Sequence, residues 1–470
     1  MSAPVYLTDG WYGAICAATG KLAFSRFNES AVGADGTGTF QLFVADRDGS
    51  NEVCISAAIP TLHVGAVTWH PSGAWLLVTR EMSSHYGVHA IAHPGNGLYV
   101  NIWAVTPDGA TWVQLTDYAN TPVGAPYFAE PIGALIPKVN QDGTKLAWAR
   151  KIGYELGSPD GLAYWDIAVA DLVTVGTPSL ANEAHYTPGS ARFYELWDWT
   201  RDGQKLIVVS DYETVDAYLD PHLWLVGSNE LQKLTWPNLQ WEEQAFFSPN
   251  DRRVVMMTTY GQTTVYNPVE FWTTFFTDLF LLDAKVGAQR LERLTFFNLV
   301  GHAQYFPRDA GIVVRAIPSQ WLDDGTLLIM LMLNDGPVQL HAQSELWVME
   351  TDGAASVFTR QAVTTTGAPG SAAAAAQTVT MTAATPATGN RFLVSGNDLI
   401  LAYNAGATGR RFYVEGATNA WGRSVVIDEA LAAGQMKIFG PLRPEGWMQT
   451  DGAIWISGTH AEVTFGIVRL

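Results

Sequence analysis

This sequence predicts an all-β chain in two parts: a six-bladed β-propeller, then a small β-sandwich or barrel. The first observation is a turn flanked by strands that recurs as Trp69-His-Pro-Ser-Gly73, Val139-Asn-Gln-Asp-Gly143, Trp199-Thr-Arg-Asp-Gly203, Phe247-Ser-Pro-Asn-Asp251 and Trp321-Leu-Asp-Asp-Gly325, after a degenerate copy at Ala18-Thr-Gly20. The second is the apolar run after each turn, such as Lys145-Leu-Ala-Trp148, Lys205-Leu-Ile-Val-Val209 and Thr326-Leu-Leu-Ile-Met330. The third is a later strand leading into another tight turn, as in Leu42-Phe-Val-Ala-Asp-Arg-Asp-Gly49, Ile102-Trp-Ala-Val-Thr-Pro-Asp-Gly109 and Leu346-Trp-Val-Met-Glu-Thr-Asp-Gly353. Asp-Gly between β-rich runs is a hairpin signal, because glycine supplies the positive φ such turns need. Each unit reads as four antiparallel strands, too small to bury a core alone, and six such units stacked side by side make a propeller over residues 1–360.

Several units close on a Leu-Thr pair: Gln114-Leu-Thr116, Lys233-Leu-Thr235 and Arg293-Leu-Thr295. Tyr6-Leu-Thr-Asp9 matches that ending, so the N-terminal segment is expected to pair with the last blade and cover an edge that would otherwise template aggregation. Tyr305-Phe-Pro-Arg-Asp309 mimics the turn motif, and a seventh blade over Gln304–Ile317 is the competing count. Residues 361–376 read as a linker, with an uncharged Thr/Gly/Pro/Ser stretch and five alanines. From Gln377 to Leu470 short strands return at spacings of about ten residues, bounded by Gly and Asn, the pattern of a sandwich or barrel.

The formal net charge is -18, with 48% hydrophobic and 15% charged residues, a composition that packs a globular core. From Arg391 onward seven basic residues balance seven acidic ones, so the charge resides in the propeller and linker. An acidic body repels nucleic acid and anionic lipid, and neither is an expected partner. Cys16 and Cys54 are the only cysteines and fall on non-neighbouring strands of the first blade, so two free thiols are expected. Met1-Ser-Ala-Pro-Val-Tyr-Leu-Thr-Asp9 has no basic or apolar region of a secretory signal, and the apolar run Leu327–Leu333 is too short to span a bilayer.

The long insertions fall between the second and third strands of each blade and are expected on the face opposite the tight turns, where binding loops sit. They carry Tyr154, Tyr218, Tyr266 and Trp272, aromatic platforms beside carboxylates that suit a sugar or a neighbouring protein. His63, His70, His85, His89 and His93 crowd into one stretch, but Gly87, Pro94 and Gly95 break the helix that would align three of them. They read as loop histidines, and no metal or cofactor is expected. Asp211/Glu213 and Asp216/Asp220 are carboxylate pairs of the kind glycoside cleavage uses. Neither the Gly-x-Ser-x-Gly elbow, nor a phosphate loop, nor a dinucleotide fingerprint occurs, and no catalytic residue is assigned.

The turn, the aromatic-rich third strand and the Leu-Thr ending resemble the TolB-type propeller repeat, which implies the fold and leaves function open, since that propeller serves binding proteins, peptidase gates and lyases. The tail resembles small tailed-phage head-decoration-like virion proteins, on Thr378–Thr385, Asn397-Asp-Leu399, Gly422-Arg423, Ala433-Gly434, Phe439-Gly-Pro441 and Val468-Arg-Leu470. That second resemblance implies a structural virion protein assembled in the host cytoplasm. It would be attached to capsid or other virion proteins through residues 377–470, present as a homo-oligomer on the particle, with the propeller outward and able to bind a surface glycan. A carbohydrate-active propeller (a metal-dependent lyase included) or a sugar-binding one, and a tail or receptor-binding component, are the alternatives.

Overall fold

The computed structural model describes residues 5–33, 37–83, 92–118, 132–152, 164–190, 193–212, 219–235, 240–262, 275–285, 291–299, 312–335, 343–351, 361–362, 365–366, 382–383, 390–393, 398–415, 426–442 and 453–469. The chain divides into two compact units, Met1–Ser356 and Val357–Leu470.

The first unit is a propeller-like set of six four-stranded antiparallel sheets. Sheet one runs β2 (Trp11–Ile15), β3 (Leu22–Val32), β4 (Gly38–Ala45), β5 (Val53–Cys54); sheet two runs β6 (Val64–Trp69), β7 (Leu76–Glu81), β8 (Val100–Val105), β9 (Trp112–Gln114). Sheet three holds β10 (Ala134–Val139), β11 (Lys145–Lys151), β12 (Trp165–Val173) and β13 (Ser179–Tyr186). Sheet four holds β14 (Tyr194–Trp199), β15 (Lys205–Ser210), β16 (Asp220–Leu225) and β17 (Leu231–Lys233). Sheet five holds β18 (Glu242–Phe247), β19 (Arg253–Thr258), β20 (Asp278–Asp283) and β21 (Leu291–Arg293). Sheet six combines β22 (Ile312–Asp323), β23 (Thr326–Asp335) and β24 (Gln343–Glu350) with β1 (Val5–Asp9), which lies against β24 with Val5 opposite Val348 and Asp9 opposite Glu345. Ile312–Ile317 opens β22, so this part of the alternative seventh blade belongs to sheet six; residues 304–311 lie outside the described residues.

The recurring turns have a common build. In sheets one to five, the residue after the first strand (Cys16, His70, Asn140, Thr200, Ser248) donates its N–H to the residue five further on, and its carbonyl closes the turn. Gly73, Gly143 and Gly203 take positive φ there, and Asp251 adopts the same left-handed backbone in the glycine's place. The sixth turn is tighter, with Asp323 paired directly to Thr326.

The Leu-Thr ending is an anchor. Thr116 donates its hydroxyl to Asn101 (3.0 Å) and accepts from the N–H of Ile102 (2.9 Å), and Thr295 does the same with Asp278 (2.7 Å) and Leu279 (2.9 Å). The fourth strand is thereby fastened to the start of the third.

Side chains also stitch each sheet to the next. Trp69 donates its indole N–H to Ala14 O, Trp199 to Lys138 O and Trp321 to Phe246 O, each at 3.0 Å. The alternate seams use His70 Nε2 on Gly143 O (3.2 Å), Asp198 accepting from the Phe247 N–H (2.9 Å), and Gln320, which both accepts from Ile15 N (2.7 Å) and donates to Ile15 O (3.0 Å). The heavy tryptophan content therefore serves seams and core: Trp148, Trp197, Trp199 and Trp224 are among the largest fully buried side chains.

In the second unit, one sheet contains β25 (Gln361–Ala362), β28 (Asn390–Leu393), β33 (Ala453–Gly458), β30 (Arg410–Glu415) and β31 (Val426–Leu431). The other contains β26 (Thr365–Thr366), β34 (Val463–Arg469), β29 (Asp398–Asn404) and β32 (Met436–Leu442), with β27 (Thr382–Ala383) also on β34. Phe412, Val414, Ile454 and Ile456 from the first share one core with Ile400, Val463, Phe465 and Ile467 from the second. Among the described residues no strand pairing joins the two sheets, which meet over that shared core. The expected linker needs correction at its start. Gln361–Ala362 and Thr365–Thr366 pair in parallel with β28 and β34, because threonine suits a strand and the Gly/Pro/Ser composition begins only at Gly367.

Candidate functional site

All six first strands carry the same irregularity. The ladder between first and second strands slips at Trp11/Ala14, Gly65/Thr68, Leu135/Lys138, Leu196/Asp198, Glu243/Ala245 and Pro318/Gln320. Each slip is a β-bulge, which bends the strand and re-aims the side chains that follow. Four bulges hold a non-glycine residue at left-handed φ: Tyr12 (50), Ala66 (49), Ile136 (45) and Gln244 (47). Such backbone persists only where its surroundings enforce it, and it collects at functional sites.

The residues emerging after the bulges are Ala14, Thr68, Lys138, Asp198, Phe246 and Gln320, one per sheet, and all six line one cavity of about 390 Å³. Turn residues Ala17, Pro71, Gln141 and Pro249 line it as well, so it reaches the tight-turn side of the sheets. Trp197, Gln244 and Ser319 add an aromatic face and polar groups.

Charge is concentrated at this cavity. Lys138 Nζ stands 5.1 Å from the Trp197 ring centroid and 5.0 Å from that of Phe246. Burial pulls its ammonium down to about 8 against the opposing pull of Asp198 and Glu195. Burial likewise pushes the Asp198 carboxyl up to about 7, although Lys138 and the N–H groups of Phe247 and Trp199 favour its charged form. Close by, Glu195 is fully enclosed and held well above the carboxylate range, first by burial and then by the charge of Glu243, to which it hydrogen-bonds. Trp197 donates to Glu195 (3.3 Å) and Trp241 to Glu243 (2.6 Å), and the buried Arg315 guanidinium, lowered to about 10 by burial, senses Glu243. Such an arrangement can hold a polar ligand by stacking and hydrogen bonding and can exchange a proton near neutral pH.

The sequence-derived candidates lie elsewhere. Tyr154, Tyr218, Tyr266 and Trp272 fall outside the described residues, as do His85, His89, Glu213 and Asp216. His63, His70 and His93 are buried; His63 accepts from the Phe40 N–H (3.0 Å), His93 bonds Pro94 O (2.8 Å), and His70 sits in its turn between Ser72 and Gly143. Asp211 accepts from the Phe193 N–H (3.1 Å) and Asp220 is salt-bridged to Lys233 (2.6 Å), both structural uses. Among the described residues no group of His, Cys, Asp and Glu is arranged to hold a metal. Cys16 and Cys54 are free thiols. Lys138, Asp198, Glu195 and Glu243 were missed, although charged residues inside the first strands of otherwise apolar sheets are the signal that marks them.

No protein-family model matches the sequence, and no curated protein matches it. Solved structures share a distant TolB-like β-propeller fold. TolB from Acinetobacter baumannii aligns over 71% of this chain at 14% identity with a TM-score of 0.40, and this chain spans 65% of that protein's length. The putative TolB from Agrobacterium tumefaciens aligns over 61% of this chain and 90% of its own, at 16% identity and a TM-score of 0.31. The apo prolyl oligopeptidase B from Galerina marginata aligns over 60% of this chain and 37% of its own, at 12% identity and a TM-score of 0.32.

Proposed function

We propose that this chain is a binding protein without turnover, built as a closed six-bladed ring whose central cavity takes a small polar ligand of the sugar type. The observation that carries the reading is the convergence of six bulged strands on one cavity that combines aromatic faces with amide and hydroxyl groups. Closure is supported by the contacts of first strands in cyclic order, β2 to β6, β10, β14, β18, β22 and back to β2, and by a side-chain hydrogen bond at every seam. A ligand surface fixed by that framework binds without first ordering its own loops. Thr68→Trp tests it by filling the cavity while removing no seam contact. Calorimetric titration with a panel of mono- and oligosaccharides is expected to show binding to the parent chain and at least about a ten-fold loss in the variant, with the melting midpoint unchanged. Failure of the parent to bind any saccharide at millimolar concentration, or equal affinity in the filled variant, overturns the reading.

The second reading concerns where the protein works. The unit Val357–Leu470 has its own core, and from Arg391 onward its charges balance while the remainder of the chain carries -18. A neutral module can approach another protein surface without like-charge repulsion, which supports attachment to a tailed-phage particle, on the capsid or as a tail component, with assembly in the host cytoplasm. Mass spectrometry of purified particles is expected to find the chain as a stoichiometric component that is lost on deletion of residues 377–470. Its absence from particles, or normal incorporation of the truncated chain, sinks the virion reading and leaves the cavity reading standing.

A further inference from the structure

We propose that Lys138 captures small aldehydes or ketones, including open-chain sugars, as a reversible imine in the central cavity. The inference rests on the cavity being the place where ligand enters, and it adds a covalent bond that noncovalent binding does not require.

The geometry sets this lysine apart. The chain has eight lysines, and Lys21, Lys145, Lys233, Lys285 and Lys437 are ion-paired to Asp46, Asp171, Asp220, Asp283 and Glu429. The Lys138 amine has neither a hydrogen bond nor an ion pair among the described residues; it stands 5.1 Å and 5.0 Å from the Trp197 and Phe246 ring centroids, and the residue lines the cavity. Amines are made nucleophilic by removal from water, since the desolvated ammonium gives up its proton more readily. The charged groups acting on it are Asp198 and Glu195, both on β14. Asp198 lines the same cavity from the adjacent sheet. Burial lowers the ammonium and raises the Asp198 carboxyl toward one another, so near neutrality a fraction of the molecules pairs a neutral amine with a protonated acid, the state that carbonyl addition draws on.

The step balances without any further reagent. The amine lone pair forms the C–N bond as the carbonyl π electrons move to oxygen, which takes the Asp198 proton. The nitrogen then returns a proton to the carboxylate, and the hydroxyl, protonated again by Asp198, leaves as water while the nitrogen lone pair closes the C=N bond and the second N–H proton passes back to the carboxylate. One amine and one carbonyl give one imine and one water, and hydrolysis reverses the sequence.

Lys151 supplies an internal control. Burial also lowers its ammonium to about 8, but it packs on Trp165 and does not line the cavity. Full-length protein would be incubated with propanal and sodium cyanoborohydride at neutral pH, which fixes any imine as a secondary amine, and its lysines mapped by mass spectrometry. Lys138 is expected to be alkylated first, at least about ten-fold faster than Lys151, with the rate rising toward pH 8 and falling in Thr68→Trp. Equal labelling of Lys138 and Lys151 would show that lowered basicity alone is at work and would overturn the proposal. So would unchanged labelling in the filled variant. Absence of labelling at Lys138 while saccharides still bind the parent chain overturns imine capture and leaves the binding reading intact. Lys138→Met, checked for an unchanged melting midpoint, is expected to lose the fast phase alone.

Discussion

Deletion of residues 1–9 is expected to destabilise the propeller unit by more than about 4 kcal/mol and to lower its melting midpoint by roughly 10 °C. β1 is the outer strand of sheet six although it is first in the chain, so its loss uncovers β24 along the length of their pairing. Tyr6 packs edge-on against Trp347 with centroids 5.4 Å apart, and Leu7 is buried. Arg26 reaches from sheet one to donate to Asp9 O (2.9 Å) and Thr8 Oγ1 (2.6 Å), so the strand is held from two sheets. Its removal also leaves the unpaired N–H and C=O groups of β24 as a template for other chains. Calorimetry and light scattering check both effects. An unchanged midpoint with no concentration-dependent association would mean that β1 adds nothing to the fold.

The parts of this fold legible in the sequence are those written in local chemistry. Gly73, Gly143 and Gly203 mark turns because a left-handed backbone there favours glycine, and the strands after them follow from apolar runs. The tail strands were legible for the same reason, since apolar runs bounded by Gly and Asn mark β29 (Asp398–Asn404) and β34 (Val463–Arg469). What was not legible depends on partners far away in sequence. The bulges of the first strands exist because side chains converge on a shared cavity, and nothing local at Ala66 or Ile136 announces a positive φ. A further repeat is written less plainly: each third strand carries in its first half a buried polar residue, Gln41, Asn101, Asp166, Asp220, Asp278 or Glu345. Its partner in the fourth strand or just after it is the threonine of the Leu-Thr ending at Thr116 and Thr295 but Ser56, His185 or Lys233 in other sheets, so the motif marks only some of the pairs. The tryptophan seams were half visible. Position 69, 199 and 321 carry Trp where 15, 139 and 247 carry Ile, Val and Phe, an alternation that pairs the sheets two by two. The site was the least legible feature, since its ring draws one residue from each of six sheets spread from Ala14 to Gln320.

Among those buried polar residues, Asp278 is expected to be the costliest to remove. It is wholly buried and gathers Arg293 (2.6 Å), the Thr295 hydroxyl (2.7 Å), the Phe297 N–H (3.0 Å), the Asn298 N–H (3.3 Å) and the Gln262 amide (3.2 Å). Asp278→Ala strips that acceptor set at once and strands a guanidinium left with the Phe280 and Phe296 rings, the carbonyls of Thr295 and Gly261 and the Gln262 amide oxygen. Breaking one partner out of a buried ion pair costs about 3–5 kcal/mol, because the other charge stays desolvated. Asp278→Asn keeps an oxygen for Thr295 and Phe297 and is expected to cost less, while a double change to apolar residues, Asp278→Leu with Arg293→Met, is expected to recover part of the loss by removing both charges together. Equilibrium urea unfolding of the three variants gives the ordering. If Asp278→Ala costs no more than Asp278→Asn, the buried charge is not what fastens sheet five, and the hydroxyl of Thr295 carries that role alone.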